Sequence, residues 1–87
     1  MMAIIEISSL ELLGGAQAML GGMVSQGSVH VGDLVLDGVN GASDAVLKIR
    51  AYGRDITEVP SGMSAGFVVG QEFAKRITLG AVLRVSS

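Results

Sequence analysis

Cysteine is absent from this chain, which excludes a disulfide framework and any zinc centre built on thiolates. Histidine is confined to His30, and one imidazole with Asp33 or Asp37 falls short of the four ligands of structural zinc. The only aromatics are Tyr52, Phe67 and Phe73, so stacking platforms for single-stranded nucleic acid are nearly missing. A basic surplus is missing too: six Lys and Arg stand against eight Asp and Glu, for a net charge of −2. The broad positive footprint that nonspecific phosphate binding needs is therefore excluded, leaving room for a local patch only. No run approaches the ~18 consecutive apolar residues of a membrane span. The opening Met1-Met2-Ala3-Ile4-Ile5 has no basic leader, and Glu6 breaks its apolar run. No membrane partner and a cytoplasmic location are the expectations.

What is present is aliphatic. Of 87 residues, 49% are apolar, mainly Val, Ile, Leu, Ala and Met. That length supports one core, so residues 1–87 are expected to form a single domain, with methionines filling irregular gaps. Thirteen glycines and one proline complete the picture. Glycine at this level, beside so many apolar residues, points to tight turns, bulges and close-packed corners rather than disorder.

The stretch Gly22–Leu36 organises the rest. An apolar run, a polar reversal at Ser25-Gln26-Gly27-Ser28, a second apolar run and a Gly32-Asp33 break are the marks of antiparallel β structure. Upstream, Ile5 and Ile7 share one parity and Leu10 and Leu12 the other, which predicts a bulge or bend at Ser8-Ser9. Gly14-Gly15 predicts a turn, and Ala18–Ser25 the second strand. Residues 37–43 read as an exposed loop, with Asp37 solvated and Asp33 ordering its own turn. Over Ala45–Ala51, Leu47, Ile49 and Ala51 are expected on a buried face, with Lys48 and Arg50 opposite. Tyr52-Gly53 bends the chain, Ala65–Val69 reads as a buried strand, and Gln71–Arg76 as a polar turn of helix or loop. Ala81, Leu83 and Val85 alternate with Val82 and Arg84 in a closing strand. Six or seven short strands and no amphipathic helix give an all-β fold class: a small closed or nearly closed antiparallel barrel, since closure removes exposed edges.

Motifs of chemistry are few. Gly62-Met63-Ser64-Ala65-Gly66 matches the Gly-x-Ser-x-Gly nucleophile elbow, but the elbow must lead into a helix, and a strand follows here. Gly62, Gly66 and Gly70 space like a helix-packing series, yet Glu58 and Glu72 bracket it too closely for a membrane span. One constellation carries forward: Lys48, Arg50 and Arg54, with Lys75 and Arg76, as candidate anion- or partner-binding residues if the two clusters converge.

Three blocks resemble a known family. Gly27-Ser28-Val29-His30-Val31-Gly32-Asp33-Leu34-Val35 is similar to the Gly-x-Val/Ile-x-x-Gly-Asp-x-Val hairpin of the second, β-barrel domain of translational GTPases such as elongation factor Tu and its initiation-factor relatives. Glu58–Val69, with Ala65-Gly66 before its apolar run, resembles a second block, and Ile77–Leu83 the closing Gly-x-Val-Leu element. There is no P-loop, so no GTPase domain is implied. Gly15-Ala16-Gln17-Ala18 stands where the family often has Gly-Arg-Gly-Thr, and no counterpart to the aminoacyl-holding residues is found. The resemblance implies a docking barrel, non-enzymatic and without cofactor. Its partner is a protein, or else the ribosome or RNA through the basic patch, in association with translation or a GTPase-like protein. The alternative is a structural protein that forms a homo-oligomer through an apolar barrel face.

Overall fold

A computed structural model describes residues 2–39 and 41–86; Met1, Asn40 of the expected 37–43 loop, and Ser87 lie outside them. The chain is all-β but for one turn of helix. In order it forms β1 (Met2–Leu12), β2 (Gln17–Gln26), β3 (Ser28–His30), β4 (Leu34–Asp37), β5 (Ser43–Ala45), β6 (Lys48–Ala51), β7 (Arg54–Ile56), β8 (Glu58–Pro60), β9 (Ser64–Gly70), α1 (Gln71–Ala74) and β10 (Val82–Ser86). Eight strands pair antiparallel in the order β5-β4-β10-β1-β2-β9-β6-β7, and β3 pairs with β8 as a separate ribbon. Among the described residues six of the ten strands are three- or four-residue rungs between longer strands, finer divisions than the six or seven strands expected.

The sheet curls because its two ends are the same piece of chain. β5 pairs with β4, and two residues later β6 pairs with β9. At the crossing, the Val46 amide donates to the Asp33 carbonyl at 2.9 Å and the Leu47 amide donates to the Val68 carbonyl at 2.8 Å. This crossing corrects one expectation. Val46 is buried and Leu47 is exposed, because the chain changes partners there and loses a step of its alternation. Ile49 regains the inner face opposite Phe67.

Inside lie Ile5, Leu20, Val24, Ile49, Phe67 and Leu83, all almost fully buried. The β1–β2 ladder shifts register between Ile7 and Ser9, the bulge that the parity change predicts, and again between Ile4 and Ile5. Beyond the first shift Leu10 and Leu12 pair with the buried Leu20 and Ala18, yet both stay exposed. α1 is less polar than its sequence suggests, since Phe73 and Ala74 turn inward. Among the described residues no buried side-chain polar atom lacks a hydrogen bond. Asp33 orders its turn by accepting from the His30 amide at 2.8 Å. Asp37, expected to be solvated, is buried and accepts from the Val39 amide at 2.9 Å, tying its loop from within.

Gly27, between β2 and β3, has φ +72° and its missing Cβ would sit 2.8 Å from the Met2 carbonyl oxygen. Gly27→Ala therefore combines left-handed strain with a backbone collision and is expected to cost about 2 kcal/mol or more. Gly14, with open space around it and no positive φ, is the control. Gly14→Ala is expected to stay within about 0.5 kcal/mol of the parent, both read by urea unfolding.

Candidate functional site

Along the outer wall, the cross-strand register sets Ser9, Gly21, Gly66 and Arg50 in one row, on β1, β2, β9 and β6. The two central members have no side chain, and the wall sinks there into an open trench of roughly 640 Å³. Ser8, Ser9 and Ser64 supply hydroxyls, Met19 and Met63 flank it, and Tyr52 stands at its rim. Met19 lies over the floor: a Cβ on Gly66 would meet its sulfur at 2.5 Å. A second, smaller depression shares Met19, Ala51 and Tyr52 with the trench and adds Arg50. The surface is thus apolar and flexible at its base, hydroxyl-bearing along one side and cationic at one end. Sites for ligands or partner side chains combine these qualities.

Tyr52 is held there at a cost. Ala51 pairs with Arg54, so Tyr52-Gly53 is a two-residue hairpin loop, and its φ angles are +56° and +75°. Such loops favour Asn-Gly or Gly-Gly, because a side chain at positive φ crowds its own carbonyl. A tyrosine in this position, 86% exposed, gains no burial in return. Tyr52 thus stands at the lip of the depression in a backbone conformation that side chains rarely adopt.

The cations anticipated from the sequence separate into groups. Lys48 and Arg50 lie on the outer face of β6 and share Asp55: Arg50 Nε is 3.3 Å from Oδ1 and Lys48 Nζ 3.8 Å from Oδ2. All three are more than half exposed, so the pairs trim the local charge while contributing little stability. Arg54 pairs with Ala51, one step out of phase, and so projects to the other face of the ribbon. Lys75 and Arg76 follow α1. Arg76 lines two further depressions, one with Asp44, Glu72 and Phe73, the other with Asp37, Thr78 and Leu79. None of Lys48, Arg50 or Arg54 borders either of these. His30, on the β3–β8 ribbon, is exposed beside Glu58, with Nε2 3.3 Å from Oε2. Among the described residues no three His, Asp or Glu side chains are placed to hold a metal. No helix among them is long and apolar enough to cross a membrane.

The trench was not anticipated from the sequence. Gly21 and Gly66 are far apart in the chain, and only the β2–β9 register puts them side by side. Glycines inside apolar strand runs were the available signal, since they mark places where another surface approaches closely.

No family model matches the sequence, and no curated protein matches it. Solved structures do. A bacterial selenocysteine-specific elongation factor, EF-Sec, superposes over 93% of this chain at TM-score 0.82 and 22% identity. Translation elongation factor SelB of Methanococcus maripaludis, apo and with the GTP analogue GPPNHP, superposes over 97% at TM-score 0.83 and 23% identity. The fold is therefore that of a β-barrel domain of translation elongation factors, as the three sequence blocks imply. The chain spans 14% of the length of the first and 19% of the second.

Tyr52→Asn should relieve the turn, because asparagine tolerates the left-handed region. The expected gain is about 1 kcal/mol, roughly 4–8 °C in Tm, read by thermal unfolding.

Proposed function

We propose that residues 1–87 act as one non-enzymatic docking module, working in the cytoplasm beside the translation machinery or a GTPase-like partner. The observation that carries this reading is the superposition of nearly the whole chain on domains of translation elongation factors. The trench supports the docking role. Its rim offers Tyr52, an aromatic presented outward, and the adjoining depression offers Arg50, both residue types that dominate binding energy at protein interfaces. The partner is a protein whose loop or side chain enters the trench while Lys48 and Arg50 meet its acidic groups. Lys75 and Arg76, at the end of the barrel, form a second contact. Neither a catalytic step nor a cofactor enters this reading.

The test is sedimentation of the tagged chain with ribosomal particles on sucrose gradients at low and moderate salt, with and without ribonuclease. Co-migration is expected with the parent chain. It is expected to fall at least tenfold, about 1.4 kcal/mol, for Arg50→Glu and for Tyr52→Asn, the second despite its higher stability. A smaller loss is expected for Arg76→Glu. Binding that survives nuclease identifies a protein partner; binding lost to it identifies RNA. A chain that stays at the top of every gradient overturns the link to translation.

A further inference from the structure

β1 outruns the strand on one of its sides. β10 accompanies it only from Met2 to Glu6. Ile7 is then met by the turn before β10: its amide donates to the Ala81 carbonyl at 2.9 Å, and its carbonyl accepts from the Gly80 amide at 2.8 Å. That turn closes at once, with the Ala81 amide on the Thr78 carbonyl at 3.0 Å. Beyond Ile7, no strand among the described residues pairs with this side of β1.

The hydrogen-bond phase of the β1–β2 hairpin decides which groups are left bare. Antiparallel partners alternate between pairs that exchange backbone bonds and pairs that do not. On β2 the even-numbered residues turn their backbone groups towards β9: the Val24 amide donates to the Met63 carbonyl, and just before the strand the Ala16 carbonyl accepts from the Gln71 amide. The odd-numbered residues face β1, in step with the Leu13 amide on the Gln17 carbonyl at 2.9 Å. Glu11–Met19 and Ser9–Gly21 are thus the bonded pairs. Leu10 and Leu12, opposite Leu20 and Ala18, point their amides and carbonyls the other way, where these groups have no partner among the described residues.

The side chains along this edge are open as well. Leu10 is 36% and Leu12 55% exposed, although their cross-strand partners are buried. Glu11 projects to the opposite face, is exposed, and takes part in no ion pair among the described residues. The bond from Gln71 to Ala16 ties the hairpin tip to the start of α1, so the edge is held in its extended form before anything binds.

We propose that the free edge of β1 at Leu10–Leu12 receives an extended segment of a partner protein, which adds one antiparallel strand to the sheet. An extended peptide backbone presents an amide and a carbonyl at every second residue, which is the pattern this edge leaves unmet. The segment carries apolar side chains opposite Leu10 and Leu12 and a lysine or arginine opposite Glu11. The same geometry disfavours a second copy. The register that would satisfy all four groups of both copies sets Leu10 against Leu12 and Glu11 against Glu11, like charges directly opposite. A charge so placed guards an edge against its own kind. The proposal does not depend on the trench, and its test is read at other residues.

The probe is a blocked heptapeptide alternating lysine with valine, added at up to about 1 mM to the isotope-labelled chain and followed by amide hydrogen exchange. In the free chain, exchange is expected to be fast at Leu10 and Leu12 and slow at Glu11 and Leu13. The peptide is expected to slow Leu10 and Leu12 about tenfold or more. With valine opposite the leucines, valine amides donate to the edge and lysine amides point away. N-methylation of the valines is therefore expected to abolish the protection, and N-methylation of the lysines to leave it. Glu11→Lys, at an exposed position, is expected to unfold at the parent's temperature, to bind this peptide about tenfold or more weakly, and to prefer a glutamate–valine peptide. Leucine amides already protected in the free chain overturn the proposal, as does a peptide that protects neither. So do equal losses from the two N-methylated peptides, or binding indifferent to Glu11→Lys. Changes confined to Arg50 and Tyr52 overturn it too, by assigning the peptide to the trench. Protection that rises with chain concentration alone identifies a second copy as the occupant and overturns it likewise.

Discussion

Everything in this molecule depends on the crossing at Val46-Leu47. Without it the sheet would be an open ribbon with β5 and β7 at its edges, exposing unpaired amides and carbonyls. With it, one stretch of backbone is bonded on one side to the β4 segment and on the other to β9. The strands must then curve, and an inner and an outer surface are defined for every residue. Two bulges in the β1–β2 ladder supply the curvature, because each inserted residue bends the strand and increases its twist.

Closure also explains why so small a chain carries apolar residues it does not bury. The interior has room for one layer of Val, Ile, Leu and Phe side chains from each strand. The outer positions are left to other purposes, and they are not uniform. One sector is sunken, floored by glycine and edged with serine, methionine, tyrosine and arginine. Another, on the outer faces of β4, β10 and β1, is aliphatic, with Leu34, Leu36 and Val82 exposed. A third, at the end of the barrel near α1, carries Lys75 and Arg76. A fold shared with domains of elongation factors thus presents several distinct surfaces, and function on such a scaffold belongs to the surfaces rather than the barrel.

The fold was largely legible. Alternation in β10, the parity change at Ser8-Ser9, the Tyr52-Gly53 turn and the buried run Ala65–Val69 are local patterns, and the structure follows them. The readings that changed fail for a common reason. Leu47 was expected inside because Ala45–Ala51 looks like one strand, but the chain changes partners in its middle. Asp37 was expected in solvent because its neighbours are loop formers, yet the loop folds over its carboxylate. Gln71–Arg76 looked polar because four of its six residues are, although Phe73 completes the core.

The functional surfaces were far less legible, and the reason is geometric. Residue types alone suggested a single constellation of five cations, but charge carries no information about which face of a strand it occupies relative to a distant segment. Register places Lys48 and Arg50 together around Asp55 and turns Arg54 to the other face, while the turn after α1 sets Arg76 in a depression that it shares with Asp44 and Glu72. Strand pairing also joins Gly21 to Gly66 and leaves Leu10 and Leu12 with a strand on one side only. By itself the sequence determined the all-β class, most strand positions and the turns, because these follow from period-two alternation and from backbone angles that glycine permits. Which side chains share a surface was decided only by the tertiary structure, because pairing between strands distant in the chain sets it.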